Sequence, residues 1–315
     1  MPLLNVTDLY SSPAEGPFML KGISFTQEKY QRIAISGETG SGKSTLLKLI
    51  AGLLHPASGE MQFEDKKLRG PHWQLIPGHE GMAYLSQHFE LLHNYRMEEL
   101  LAYGNEFSPE DAADIYSVCR IDHLFKRRSD ELSGGEKQRI ALAKLLVSKP
   151  RLLLLDEPYS NLDLIHKKIL KEVLDDISAR LQITCILASH DPGDILPWAD
   201  EILILQNGEL VQKADPNTIY NKPVNEYVAG LFDDHNIIPA ELLSLFPGIT
   251  HLIDGKGSCR PQQIQVSEAE TPISGTVTSC EFYGNYFKLT VSVEETDVIL
   301  HSDTPLPIGT LIFLK

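Results

Sequence analysis

The sequence predicts an α/β protein: a mixed, mostly parallel β-sheet interrupted by a helical subdomain, followed by a small all-β domain. Three observations predict it. A β-branched run, Arg32 to Ser36 (RIAIS), leads through a glycine-rich turn into LLKLIAGLL, whose Leu47, Ile50, Ala51 and Leu54 recur at helical spacing. Four consecutive leucines, Leu152 to Leu155, stand between Arg151 and Asp156 and suit a strand buried on both faces of a parallel sheet. Near the C-terminus, GTVTSCEFYGNYFKLTV at 275–291 has the alternation of a hairpin with Gly284-Asn285 as its turn.

Taken in order, residues 3–9 and 18–27 read as two strands around the turn SSPAEGP. The next strand enters GETGSGKST at 37–45, which matches Gly, four residues, Gly-Lys-Ser/Thr through Gly37, Gly42, Lys43 and Ser44. This is the phosphate-binding loop of the P-loop NTPases. Gly37, Gly40 and Gly42 let the backbone turn its N–H groups inward around phosphate oxygens, and the helix that follows adds its positive end. Lys43 supplies a point charge for the β- and γ-phosphates, and the Ser44 hydroxyl can ligate Mg²⁺. Tyr10 precedes a turn that could fold it over the nucleotide, where its ring suits adenine stacking as well as it suits a half-buried strand end.

Residues 56–81 are polar and broken by Pro and Gly, with a short strand near Gly59 to Phe63. MAYLSQ then predicts a strand ending at Gln87, and residues 88–132 alternate apolar and charged positions at helical spacing, a mostly helical insertion. In LSGGEKQRIALAKLLV at 132–147, Ser133 and Glu136 have capping-box spacing. Gly134 and Gly135 leave that helix end bare for the approach of an anion. The leucine strand places Asp156 at its carboxyl end beside the phosphate loop, able to hold Mg²⁺, with Glu157 reaching the γ-phosphate side. SNLD at 160–163 follows, then a helix, then ITCILASH, a strand ending at His190. Alternating strand and helix argues for crossover units.

Composition sets limits on partners. A formal net charge of −15 over 315 residues and a pI near 5.1 argue against a nucleic-acid polyanion as the main partner. Cys119, Cys185, Cys259 and Cys280 are widely spaced, which predicts reduced, buried thiols and neither a zinc site nor a disulfide framework. The opening MPLLNVTDLY lacks the features of an export signal, and no 18-residue apolar run occurs, so no transmembrane segment is expected.

The ordered set GETGSGKST, Gln87, LSGGEKQR at 132–139, LLLLDE at 152–157, SNLD and His190 resembles the nucleotide-binding subunit of ATP-binding cassette (ABC) transporters. The resemblance covers residues 1 to about 232. It implies ATP and Mg²⁺ as ligands, with Gly37, Glu38, Thr39, Gly40, Ser41, Gly42, Lys43, Ser44 and Thr45 around the phosphates and Tyr10 on the adenine. It further implies Ser44, Gln87 and Asp156 at the metal and Glu157 as the carboxylate that polarises water. His190 would be the γ-phosphate switch, and Lys43 and Gln87 would assist. In such proteins Ser133, Gly134, Gly135, Glu136 and Asp163 act in trans, on the nucleotide of a paired subunit in a head-to-tail dimer. Glu136 stands where many members have Gln and Lys144 where Arg is frequent, and neither change removes a catalytic group.

Residues 207–232, CRPQQIQV at 259–266 and the hairpin at 275–291 resemble bacterial binding-protein-dependent importers with an OB-like (TOBE) accessory domain. The implied organisation is a nucleotide-binding domain at 1–233 with its helical subdomain at 88–132, a linker at 234–270 and the OB-like domain at 271–315. The implied partners are a second ATPase subunit, membrane permease subunits contacted through the helical insertion, and indirectly an external solute-binding protein. The implied location is the cytoplasmic face of the cell membrane. Two alternatives are a soluble ABC ATPase acting on nucleic acid or ribosomes, and solute sensing by the C-terminal barrel. For the first, the sequence shows no fused second cassette, coiled-coil insertion or basic face.

Overall fold

The computed structural model describes residues 2–12, 19–71, 78–88, 91–92 and 94–315, which divide into two compact units, 1–216 and 217–315. The SSPAEGP turn from residue 13 and part of the helical insertion, 89–90 and 93, lie outside the described residues.

The first unit runs β1 (Leu4–Ser11), β2 (Ile23–Gln27), β3 (Arg32–Ser36), α1 (Lys43–Ile50), β4 (Pro56–Phe63), β5 (Lys66–Lys67), β6 (Met82–Leu85), α2 (Met97–Ala102) and α3 (Pro109–Val118). It continues with α4 (Gly134–Leu146), β7 (Leu152–Asp156), α5 (Leu164–Arg180), β8 (Thr184–Ala188), α6 (Pro192–Ile195), β9 (Glu201–Gln206) and β10 (Glu209–Ala214). An antiparallel sheet has the order β2-β1-β4-β5, and a six-stranded sheet has the order β10-β9-β3-β8-β7-β6. In the larger sheet, strands from β9 to β6 are parallel and only β10 is antiparallel, at the edge. The second strand begins at Ile23, so the extended reading from residue 18 is shortened at its start.

Register explains where the chemistry collects. Ala188 of β8 lies opposite Ile35 on one side and Asp156 on the other. Parallel strands therefore release the 37–42 loop, Glu157 and Ser189 in one row along the carboxyl edge of the sheet, the usual place for ligands in such sheets. Leu152 to Leu155 are fully buried, as expected for a strand with neighbours on both sides and cover on both faces. Leu46, Leu47, Leu49 and Ile50 anchor α1 in the core with Ile33, Ile35, Leu154 and Ile186, so the helix that ends the phosphate loop is fixed by packing.

The second unit contains α7 (Pro216–Asn221), α8 (Glu226–Leu231), β11 (Asn236–Ile238), β12 (Leu252–Ile253), β13 (Lys256–Cys259), β14 (Val266–Ser267), β15 (Ile273–Phe282), β16 (Phe287–Val293), β17 (Thr296–Ser302) and β18 (Leu311–Leu314). All pairings are antiparallel, in sheets of order β11-β13-β12 and β14-β18-β15-β16-β17. The predicted hairpin is β15–β16, closed by Tyr283 N–H donating to the Tyr286 carbonyl at 2.9 Å with Gly284 at φ 88°.

The stretch predicted as a linker, 234–270, is not one. It carries β11 to β14 and buries Ile238, Leu242, Phe246, Ile253, Cys259 and Ile264. The unit boundary lies at 216 rather than 233, and Arg260 gives the physical reason. Its guanidinium is 2% exposed and donates to the carbonyls of Tyr220, Ala229, Asp233 and Asp234 at 3.0, 3.0, 3.1 and 3.2 Å. It also lies over the Tyr220 ring, 4.2 Å from its centre, so residues 220–234 close around a residue of the second unit.

Candidate active site

The 37–45 loop is shaped by contacts that leave no room for side chains. A Cβ at Gly37, whose φ is 148°, would run into the Leu205 carbonyl, and one at Gly42, φ 107°, would fall 2.6 Å from Leu20 Cδ2. Gly42 is the N-cap of α1 and supplies no side-chain cap, so the first N–H groups of that helix face the loop. Gly208 N–H donates to the Ser41 carbonyl at 3.1 Å, which pins the loop to the β9–β10 turn.

Inside the loop the Lys43 ammonium, 7% exposed, donates to the carbonyls of Gly37 at 2.7 Å and Glu38 at 3.0 Å. It also lies 4.0 Å from Glu157. Burial lowers its pKa below the ordinary lysine value, and Glu157 and Asp156 oppose that shift. Ser41 Oγ is buried with no hydrogen-bond partner among the described residues, and Glu38 and Thr39 at the rim are exposed. An orphaned hydroxyl, an ammonium whose hydrogen bonds run to two carbonyls and an uncapped helix start suit a polyphosphate.

Asp156, 3% exposed, is flanked by two hydroxyls. Ser44 donates to its Oδ1 and Tyr84 to its Oδ2, each at 2.8 Å. Tyr84 is absent from the sequence-based site. Its signal is the pairing of MAYL with the leucine strand, which sets Tyr84 beside Leu154, two residues short of Asp156. Burial and the Asp156 charge raise the Tyr84 pKa well above that of a free phenol, so it acts as a donor.

Glu157 adopts φ 48°, an uncommon backbone for a residue other than glycine. Its N–H donates to the Ala188 carbonyl at 3.0 Å, and the Glu157 carbonyl accepts from Ser160 N–H at 3.1 Å and Ser160 Oγ at 2.8 Å. That turn presents the carboxylate to His190, whose Nδ1 lies 3.0 Å from both oxygens. A carboxylate only accepts, so Nδ1 carries the proton. Behind His190, buried Asp194 accepts from Ser189 Oγ at 3.2 Å and pairs with Lys167 at 2.7 Å and Lys171 at 2.9 Å, fixing the 189–194 turn.

The remaining candidates lie outside this cluster. Gln87 is exposed in the turn after β6 and makes no hydrogen bond to Ser44 or Asp156 among the described residues. Tyr10 is 39% exposed near the end of β1, paired with Ser58. The capping box is present: Ser133 N–H donates to Glu136 Oε2 at 2.8 Å, and Ser133 Oγ accepts from Glu136 N–H at 3.3 Å. The helix proper starts at Gly134. Arg127 pairs with Glu136 at 3.2 Å. Burial works to raise the Glu136 pKa but is outweighed by its bonds to Ser133 and by Arg127 and Arg139, and the net effect is lowered. Asp163 caps α5 by accepting from His166 N–H at 2.9 Å. The polar contacts of Ser133, Glu136 and Asp163 thus run to one another's neighbourhood, through Arg127 and His166, and not to the 37–45 loop of the same chain.

Residues 20–160 match the ABC transporter family. The chain is 30% identical over 319 residues to the spermidine/putrescine import ATP-binding protein PotA of Clostridium acetobutylicum, covering 94% of this chain and 89% of that one. It is 29% identical over 325 residues to the glucose import ATP-binding protein GlcV of Saccharolobus solfataricus, covering 94% and 92%. Among solved structures, CbiO1 of Clostridium perfringens, part of the ABC transporter complex cbiONQ, is similar with a TM-score of 0.61 and 27% identity over 69% of this chain and 90% of that one. With relatives that match over most of its length and the phosphate loop, Asp156, Glu157 and His190 gathered at one sheet edge, the chain belongs to the ABC transporters, as an ATP-binding subunit that hydrolyses ATP.

Proposed function

We propose that two such subunits bury ATP and Mg²⁺ head to tail and that their closing and opening powers solute import through membrane permease subunits. One observation carries this reading. The phosphate loop, Asp156, Glu157 and His190 share one edge, while Ser133, Gly134 and Asp163 have no polar contact with that loop and face outward, available to another chain's nucleotide. The named importer relatives support the direction of transport, and relatives of nearly equal identity are named for spermidine/putrescine and for glucose, so these names single out no solute for this chain.

In this reading Lys43 exchanges its two carbonyl partners for β- and γ-phosphate oxygens, and the Ser41 hydroxyl gains the partner it lacks. Ser44 and Asp156 would hold Mg²⁺, with Gln87 swinging in from its exposed turn. The metal, when bound, neutralises charge that develops on the phosphate oxygens. Glu157 accepts a hydrogen bond from the attacking water and orients it, and the Nδ1–H of His190 keeps that carboxylate aimed. His190, with its side chain 65% exposed, is free to turn its other nitrogen to the γ-phosphate. Tyr10 would stack on the adenine.

No helix among the described residues is long and apolar enough to cross a membrane, so attachment at the cytoplasmic face would run through the permease partners. The test is direct. Purified Glu157→Gln protein with saturating ATP and Mg²⁺ should elute as a dimer, and the wild-type chain should co-purify with a multi-span membrane protein. A monomer, or recovery of RNA or ribosomes alone, refutes the reading.

A second reading, solute sensing, attaches to residues 217–315. A cavity of about 580 Å³ there is walled by Leu245, Phe246, Ile249, Ile273 and Leu314, with Asn217 and Thr271 at its polar positions, and suits a small, partly apolar solute. A transported solute that binds it should raise the melting temperature of the whole chain in the absence of nucleotide; an unchanged melting temperature with that solute removes this reading.

A further inference from the structure

The two glycines that open α4 lack side chains for different reasons. A Cβ on Gly134 would meet nothing within 4 Å. A Cβ on Gly135 would run into the His166 imidazole, so that buried glycine makes room for a ring and not for an anion. The ring is held at both ends. Its Nδ1 lies 2.8 Å from Asp163 Oδ2 and its Nε2 lies 3.4 Å from Ser133 Oγ, while the backbone N–H of the same residue donates to Asp163 Oδ1 at 2.9 Å. The Asp163 carboxylate only accepts, which places a ring proton on Nδ1 and leaves Nε2 as the atom that meets the Ser133 hydroxyl, accepting its proton in this tautomer.

We propose that His166 is a positioning residue that joins Ser133 and Asp163 into one rigid recognition unit for the partner subunit's nucleotide. The inference rests on the head-to-tail reading above. Ser133 Oγ accepts from the Glu136 N–H on one side, and its own proton is directed at Nε2 through a long bond that a phosphate oxygen can displace. The hydroxyl is therefore aimed before the nucleotide arrives and remains available to it. On the other side, Nδ1–H and the backbone N–H together engage both oxygens of Asp163, and these bonds, the backbone one first, hold its carboxyl below the usual carboxylate range. Without the imidazole, one oxygen of Asp163 would present undirected negative charge near the partner's phosphates, and the serine would lose its fixed rotamer.

The test uses the Glu157→Gln chain as parent and measures the protein concentration at which ATP and Mg²⁺ give half dimer. His166→Leu, which fills the space over Gly135 without polar atoms, should raise that concentration about tenfold, the size of one charge-assisted hydrogen bond. His166→Gln, whose amide can both donate and accept, should recover most of the loss. Gly135→Ala, which displaces the ring, should reproduce the His166→Leu defect. Combining His166→Leu with Ser133→Ala should give a loss smaller than the product of the two single losses, because the imidazole acts partly through that hydroxyl. On the otherwise wild-type chain, kcat at saturating protein and ATP should stay within about twofold while the apparent KM for ATP rises. Dimerisation of His166→Leu equal to its parent, losses that multiply fully, or a fall in kcat matching the rise in KM would each overturn the assignment. A parent that stays monomeric refutes the head-to-tail reading itself, and the inference with it; a dimeric parent with an indifferent His166 overturns the inference alone.

Discussion

Tyr84 donates its hydroxyl to the one oxygen of Asp156 that Ser44 leaves open, so both halves of the carboxylate are engaged at 2.8 Å before any metal arrives. Orientation of a metal ligand by a neighbouring donor is worth roughly tenfold to a hundredfold in metal affinity. Tyr84→Phe should therefore raise the Mg²⁺ concentration for half-maximal ATP hydrolysis by about tenfold. A Mg²⁺ titration of turnover checks it, and an unchanged midpoint shows that Ser44 alone sets the carboxylate.

Lys43→Ala removes the only ammonium inside the phosphate loop among the described residues. Turnover should fall by at least about a hundredfold, the scale of losing one preorganised charge-stabilising donor. The far-ultraviolet spectrum should not change, since the surrounding carbonyls can be solvated from the loop rim. Phosphate release assays on the purified variant decide the matter.

Glu157 adopts the left-handed backbone at φ 48°, which costs a non-glycine residue about 1 kcal/mol. Glu157→Gly should relieve that strain and leave the melting temperature equal or higher, yet abolish hydrolysis. A lower melting temperature would mean that the contacts to His190 and Lys43 outweigh the strain.

Arg260→Met removes a buried guanidinium from the carbonyls of Tyr220, Ala229, Asp233 and Asp234, of which the bond to Ala229 is the buried one. The second unit should lose roughly 1–3 kcal/mol, the scale of removing a buried hydrogen-bond partner. Limited proteolysis should then cut first within 217–315, while ATP binding by 1–216 survives. Equal protection of wild type and variant would contradict the anchoring role.

The Glu136 carboxyl is held below its ordinary range in the folded chain, so it binds a proton less readily there than in the unfolded chain. Its stabilising effect is complete above the usual carboxylate range and is lost as pH falls through the folded value. Thermal melts at pH 7 and near pH 4 should show a smaller loss on acidification for Glu136→Gln than for wild type.

The candidate site was legible because its residues sit in local patterns with their own physics: a glycine loop and a leucine run ending in Asp156-Glu157 at the sheet edge, and, apart from that edge, a capping box at Ser133. Tyr84 and His166 were not legible, since each acts through a partner far away in sequence, Asp156 in one case and Ser133 in the other. The same limit misplaced the domain division. The resemblance implied a linker at 234–270, but the decisive contacts run from Arg260 back to residues 220–234, a pairing that no local window contains. The pattern of Gly134-Gly135 was visible while the separate use of each glycine was not.

The phosphate loop is clamped on three sides, by Leu205 against Gly37, by Leu20 against Gly42 and by the Gly208 N–H on Ser41. Its backbone order is established when the protein folds, so a nucleotide that enters meets a finished cavity and has no loop to freeze. ATP binding to the single chain should accordingly bury little additional protein surface and show a small heat-capacity change, whereas pairing of two ATP-loaded chains should show a large one. With that outcome, the thermodynamic weight of the proposed cycle would fall on the joining of subunits, and ATP would serve this chain less as a ligand to be wrapped than as a surface to be shared.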